Sequence, residues 1–251
     1  MELRVIGVAA VAVVGLAALG WSQFGGREDS AKPDEVIATG SSPERANDKL
    51  QSAGSRSGAD AQHQTLSALR HPFPEVPLTR AGLGFEDDPG FAESKTEQEW
   101  LDLHGYPNIR QWETYTAAPD ERLREAAAAG DAVAGVMLDG RLLRTDPKAQ
   151  QRLVEAGVDG NLFALQLLAS YQAGSSNGDP VAAYAVSRVS EMRGDLRAGV
   201  SREVMFATPL TVEQRMLGES EAVRLNEAMN KLYFEKYGAP AEFIPRPVGH
   251  S

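Results

Sequence analysis

The four histidines, His63, His71, His104 and His250, are the side chains best suited to acid–base or metal chemistry near neutral pH. No two of them stand at His-x-x-x-His spacing, and no Glu-x-x-His occurs. Those spacings would put two ligands on one helix face, so no metal site follows. Glu97 and Glu99 are two residues apart and project from different faces of a helix, which makes a poor acid–base pair. Glu86-Asp87-Asp88, beside Pro89-Gly90, is an acidic turn expected to be solvated rather than to hold a cation. The chain has no cysteine, which excludes thiol nucleophiles, disulfides and thiolate-bound metals. No phosphate-cradling Gly-x-x-x-x-Gly-Lys loop and no Gly-x-Ser-x-Gly elbow occurs. Trp100, Tyr106, Trp112 and Tyr115 lie close in sequence and are expected in the core. The expectation is a protein that is not an enzyme and carries no cofactor and no metal.

The elements that would position these groups are helical. Thr96-Glu97-Gln98-Glu99 reads as a capping box opening a helix whose apolar face is Trp100, Leu101 and Leu103, with Gly105-Tyr106-Pro107 stopping it. Pro119-Asp120-Glu121 opens another helix that runs through Leu123 and Ala126 to Ala129, where Gly130 ends it. Ahead of both, His71-Pro72-Phe73-Pro74-Glu75-Val76-Pro77-Leu78 excludes helix and reads as an extended lead-in burying Phe73, Val76 and Leu78. Thr211 to Tyr237 reads as one long helix, capped by Thr211 and stopped by Gly238-Ala239-Pro240. Met216, Val223, Ala228, Met229, Leu232 and Tyr233 supply its apolar side.

Between these helices the chain repeats. Gly130, Ala134 and Leu138 recur as Gly160, Ala164 and Leu168, and Gly194-Asp195 opens a third unit 34 residues after Gly160. Asp146-Pro147 recurs as Asp179-Pro180, 33 residues on. Each Asp is a good N-cap and each following Pro suits the first helical position. The glycines permit the left-handed turn that ends a helix, and the alanines let helices approach closely. The third unit then diverges, with Arg202 where Leu138 and Leu168 stood. Helical pairs at a period of 30 to 40 residues mark an α-solenoid.

On these residues the segment from about Pro119 to Asp195 resembles the Sel1-like repeat family, a relative of tetratricopeptide repeats. It departs from the family pattern in the short Arg141–Thr145 connection and in having Tyr184 as the one aromatic after the Asp-x-x-x-Ala start. The resemblance implies an interaction or scaffold role, with a concave face as the contact surface. It also implies a C-terminal capping helix over the open end of the core.

The N-terminus is apolar without a break from Val5 to Leu19, including Ile6, Val13 and Leu16. Trp21 falls where an interfacial aromatic would sit, so the stretch nears the roughly 20 residues that cross a bilayer core. The reading is a single membrane anchor, with the body outside the cytoplasm by the balance of flanking charge. A signal cleaved after Gly20, releasing the protein to the periplasm, is the alternative. Gly25 to about Gln64 is poor in large apolar residues and reads as a flexible tether with a reach of roughly 35 Å. The expected organisation is an anchor at 1–24, a disordered linker at 25–65, a helical repeat domain at 66–240 and a tail at 241–251. The fold class is all-α. The net charge of −10 disfavours nucleic acid as a partner. A protein partner and the membrane are expected, the latter in a cytoplasmic-membrane, periplasm-facing setting. The alternative function is a periplasmic enzyme or ligand-binding domain whose site is not visible as a motif.

Overall fold

The computed structural model describes residues 71–176 and 178–247, and over that span the chain is all helical. The anchor residues Val5 to Trp21, the linker, His63, His250 and Asn177 lie outside the described residues. Among the described residues no helix is long and apolar enough to cross a membrane. The helices are α1 (Lys95–Leu103), α2 (Ile109–Ala117), α3 (Asp120–Ala128), α4 (Ala132–Leu142) and α5 (Ala149–Val158), then α6 (Leu162–Gly174), α7 (Pro180–Met192), α8 (Ala198–Val204) and α9 (Val212–Tyr237). From α3 to α8 each helix packs on the next, and α9 lies along α7 and reaches α5.

One turn recurs three times. Gly130, Gly160 and Gly194 follow α3, α5 and α7 with φ of 97°, 96° and 116°. After each, the next residue's N–H reaches back to a carbonyl five residues earlier: Asp131 to Ala126, Asn161 to Ala156, Asp195 to Ser190, all at 2.9–3.0 Å. This is the Schellman closure, which satisfies helix-end carbonyls. Asp131 and Asn161 then cap α4 and α6, accepting from the Ala134 and Ala164 amides at 3.0 and 2.9 Å. Ala134, Leu138, Ala164 and Leu168, the repeating apolar positions, are buried. Asp195 breaks the pattern: α8 starts three residues later, at Ala198, and the carboxylate is turned to other partners.

The α1–α2 region lies across these turns. Tyr115 donates its hydroxyl to Asp131, and Tyr106 donates to Asp195 at 2.6 Å. Between them the Leu162 amide donates to the His104 carbonyl at 3.0 Å. Gly105 (φ 74°) sits so close to Asn161 that a Cβ would stand 2.1 Å from its amide nitrogen.

Several local expectations shift. Ser94, not Thr96, caps α1, accepting from the Glu97 amide at 3.1 Å, and Leu103 is exposed. Asp179 and Pro180 do cap and open α7. Asp146 does not cap α5: its carboxylate accepts from the Lys148 amide at 2.9 Å in a turn ahead of the helix, and Arg152 draws the other oxygen at 2.8 Å. Lys148 takes the cap position, and Pro147 stays in the turn. Asp88 of the acidic turn is buried against Arg80 rather than solvated.

The lead-in buries Val76 and half-buries Phe73 against Tyr115, but Leu78 is exposed. Helix α9 buries Gly218, Ala222 and Met229; Met216, Val223, Ala228 and Leu232 stay exposed. The buried face runs close to α7, where a Cβ on Gly218 would come within 2.5 Å of the Tyr184 ring. Gly218, Ala222 and Met229 share one face of the helix, and Met216, Val223 and Ala228 lie well round from it.

Two arginines fasten the segments at either end of the described span. Arg80, fully buried, bonds Asp88 (2.6 Å), Asp102 (2.7 Å) and the Tyr106 and Pro107 carbonyls. Arg246 bonds Glu97 (2.7 Å), Asp195 (3.3 Å) and the Gly90 carbonyl, with Trp100 and Tyr106 stacked near it. Residues 241–247 are thereby drawn onto the body, with the Trp100 indole donating to the Ile244 carbonyl at 2.8 Å.

The turn geometry sets an ordered prediction. Gly130→Ala and Gly160→Ala meet no atom within 4 Å, so each is expected to cost only the left-handed backbone penalty of about 1–2 kcal/mol. Gly194→Ala, whose Cβ would lie 2.5 Å from the Ile244 carbonyl oxygen, is expected to cost more. Urea denaturation of the three variants measures this; equal losses at all three positions would refute it.

Candidate functional site

A cavity of about 290 Å³ opens where α1 ends, between the α5–α6 turn, the end of α7, α9 and the C-terminal segment. Each wall follows from a helix end. His104 is the C-cap of α1, Gly160 is the α5–α6 turn glycine, and Arg193 is the C-cap of α7. Helix α9 contributes Tyr233 and Asn230, and the segment fastened by Arg246 contributes Phe243 and Ile244.

His104 stacks on Trp100, ring centres 4.1 Å apart. Its Nδ1 stands 2.8 Å from the Trp100 carbonyl. A carbonyl accepts, so the proton sits on Nδ1 and Nε2 keeps a free lone pair. Burial holds the imidazole below its ordinary pKa of 6.5, the Arg193 charge adds to that, and the Trp100 bond and Asp195 oppose it.

Arg193 donates to the Asn230 side-chain oxygen at 2.9 Å and to the Val158 carbonyl at 3.2 Å. That carbonyl is the last of α5, a helix-end acceptor lacking an intrahelical donor. Burial lowers the Arg193 pKa as well. Asp159, on the rim, is held by Lys236 at 2.7 Å and by the Tyr237 hydroxyl at 2.9 Å.

The other residues singled out by sequence take structural parts. His71 reaches Asp131 at 3.2 Å, so a histidine, a carboxylate and the Tyr115 phenol do converge. The Asp131 carboxylate also caps α4, and no serine or threonine joins the group; it ties the lead-in to the first turn. Burial, with the Asp131 bond second, pushes the Tyr115 hydroxyl far above its ordinary range. Glu97 is buried with Arg246 and Glu99 is exposed, which keeps the two apart. Trp100, Tyr106 and Tyr115 are buried and Trp112 is half-buried.

Sequence reading overlooked Arg80, Arg193 and Arg246, whose partners lie far off in the chain or on other helices. It also overlooked α2, although Asn108 and Gln111 form a reciprocal capping box that Asn-x-x-Gln could have signalled. No family model, curated protein or solved structure matches the chain.

His104 makes the fold acid-sensitive. Its folded-state pKa lies below the unfolded value of 6.5, so the unfolded chain binds the extra proton more readily. The stability contributed by neutral His104 is whole above pH 6.5 and is lost as pH falls from there toward the folded pKa. Wild type is expected to lose more Tm between pH 7.5 and pH 5.5 than His104→Gln. Thermal melts at the two pH values check it; equal losses would show that His104 does not titrate in this way.

Proposed function

We propose that the chain is a membrane-tethered helical-repeat interaction module, with its body outside the cytoplasm. In this reading the α3–α8 helices form a short α-solenoid of the Sel1-like type, with α9 covering its end. The carrying observation is the threefold recurrence of the helix, left-handed glycine and Asp/Asn turn at Gly130, Gly160 and Gly194. A stack of equivalent helical pairs offers a surface built by repetition, and such surfaces commonly bind protein.

Exposed apolar side chains support a partner. Val200 and Val204 on α8, and Val212 and Met216 on α9, are each about two-thirds or more exposed. They flank the Glu203–Arg215 pair that joins the two helices. Exposed apolar residues on two helices joined by an ion pair make this region the candidate contact site. The apolar stretch from Val5 to Trp21 supports the tether.

The test uses the full chain in its own membranes. It is expected to pellet with membranes and resist carbonate extraction. Crosslinking is expected to trap a discrete protein partner, and Val204→Glu with Met216→Glu to abolish that adduct without changing the far-UV circular dichroism. A mature N-terminus at Trp21 would refute the anchor. A crosslinked adduct unaffected by the double substitution would refute the assigned surface, and no adduct at all would refute the interaction role.

A further inference from the structure

We propose that the cavity beside His104 and Arg193 binds a small monocarboxylic acid with an apolar body, its carboxylate paired with the Arg193 guanidinium. The inference does not depend on the interaction reading above.

Arg193 is the starting point. Arg80, Arg202 and Arg246, the buried arginines, each pair with at least one carboxylate. Arg193 pairs with no carboxylate of the described residues; its acceptors are two neutral oxygens. A guanidinium partly removed from water is left undercompensated by neutral acceptors alone. It offers five N–H donors in a planar fork suited to two carboxylate oxygens, and the remaining donors have no acceptor among the described residues.

The surroundings define the rest of the ligand. Leu162, Met192, Tyr233, Phe243 and Ile244 supply an apolar part of a mixed wall, which gives a branched or aromatic body a surface beside the polar groups. The volume, about 290 Å³, is at the small end of ligand sites, which argues for a compact molecule rather than an extended peptide. Neutral His104 brings no competing cation, and its Nε2 can accept from a hydroxyl or amide on the ligand. Two carboxylates also line the cavity. Asp159 is neutralised by Lys236, while Glu242 on the C-terminal segment is exposed and unpaired among the described residues. A second negative charge on the ligand would meet Glu242, so a monoacid is favoured over a diacid.

The experiment is calorimetric titration of the full chain, held in lipid nanodiscs, with 4-methylpentanoate and with its neutral isostere 4-methylpentanamide. The acid is expected to bind at least ~tenfold tighter than the amide, about the worth of one charge-assisted pair. Arg193→Gln is expected to erase that difference. Asn230→Asp, at an exposed position already bonded to Arg193, supplies an internal carboxylate and is expected to weaken the acid ~tenfold with Tm unchanged or raised. Should Arg193→Gln fail to fold, Asn230→Asp decides the matter, and unchanged acid affinity there overturns the proposal. It is also overturned if acid and amide bind alike, if neither binds at millimolar concentration, or if adipate binds tighter than the monoacid. Tighter binding of a leucine-terminated tripeptide than of the free acid would assign the cavity to peptide ends and overturn the small-ligand reading.

Discussion

The left-handed glycine at the end of α3, α5 and α7 is the constraint on which the rest of the structure depends. It reverses the chain in one residue and presents an Asp or Asn immediately after the reversal. Because the backbone reversal is the same three times, an Asx residue follows each glycine at the same point of the turn. The α1–α2 region uses all three positions: Tyr115 at Asp131, the close-packed Gly105 at Asn161, and Tyr106 at Asp195. The repeats therefore organise the part of the chain that does not repeat.

The third turn shows how the series ends. Asp131 and Asn161 spend one oxygen on capping the next helix. Asp195 caps no helix; it takes Tyr106 and Arg246, and α8 is correspondingly late and only seven residues long. Burying Arg246 with Glu97 and Asp195 brings no large net stabilisation by itself, since desolvation offsets much of the attraction. What it supplies is position, because any other seating would leave charges buried and unpaired. The segment it holds becomes a wall of the cavity beside His104.

The exposed apolar residues of α9 have the same origin in packing. The face of α9 turned to the body carries Gly218, Ala222 and the long Met229. Met216 and Val223 lie on another face of the helix and stay exposed, as does Leu232 nearer its end. Hydropathy alone ranks them as core, and only the choice of packing face reverses that order.

Local chemistry was legible in the sequence. Turn glycines, the Asp179-Pro180 helix start and the full span of α9 follow from interactions within a few residues, so their signals are written locally; Asp146-Pro147 carries the same local signal and does not cap α5. The spacing of Gly130, Gly160 and Gly194 carried the repeat for the same reason. The sequence also carried the apolar stretch at Val5 to Trp21, by length and composition. Partners separated along the chain were not legible: Arg246 meets Glu97 across 149 residues, and Trp100 meets Ile244 across 144. Arg193 carries no mark in sequence of lacking an acid, and His104 none of facing a cavity. Those properties belong to helix ends brought together by packing, so the tertiary structure alone decided them.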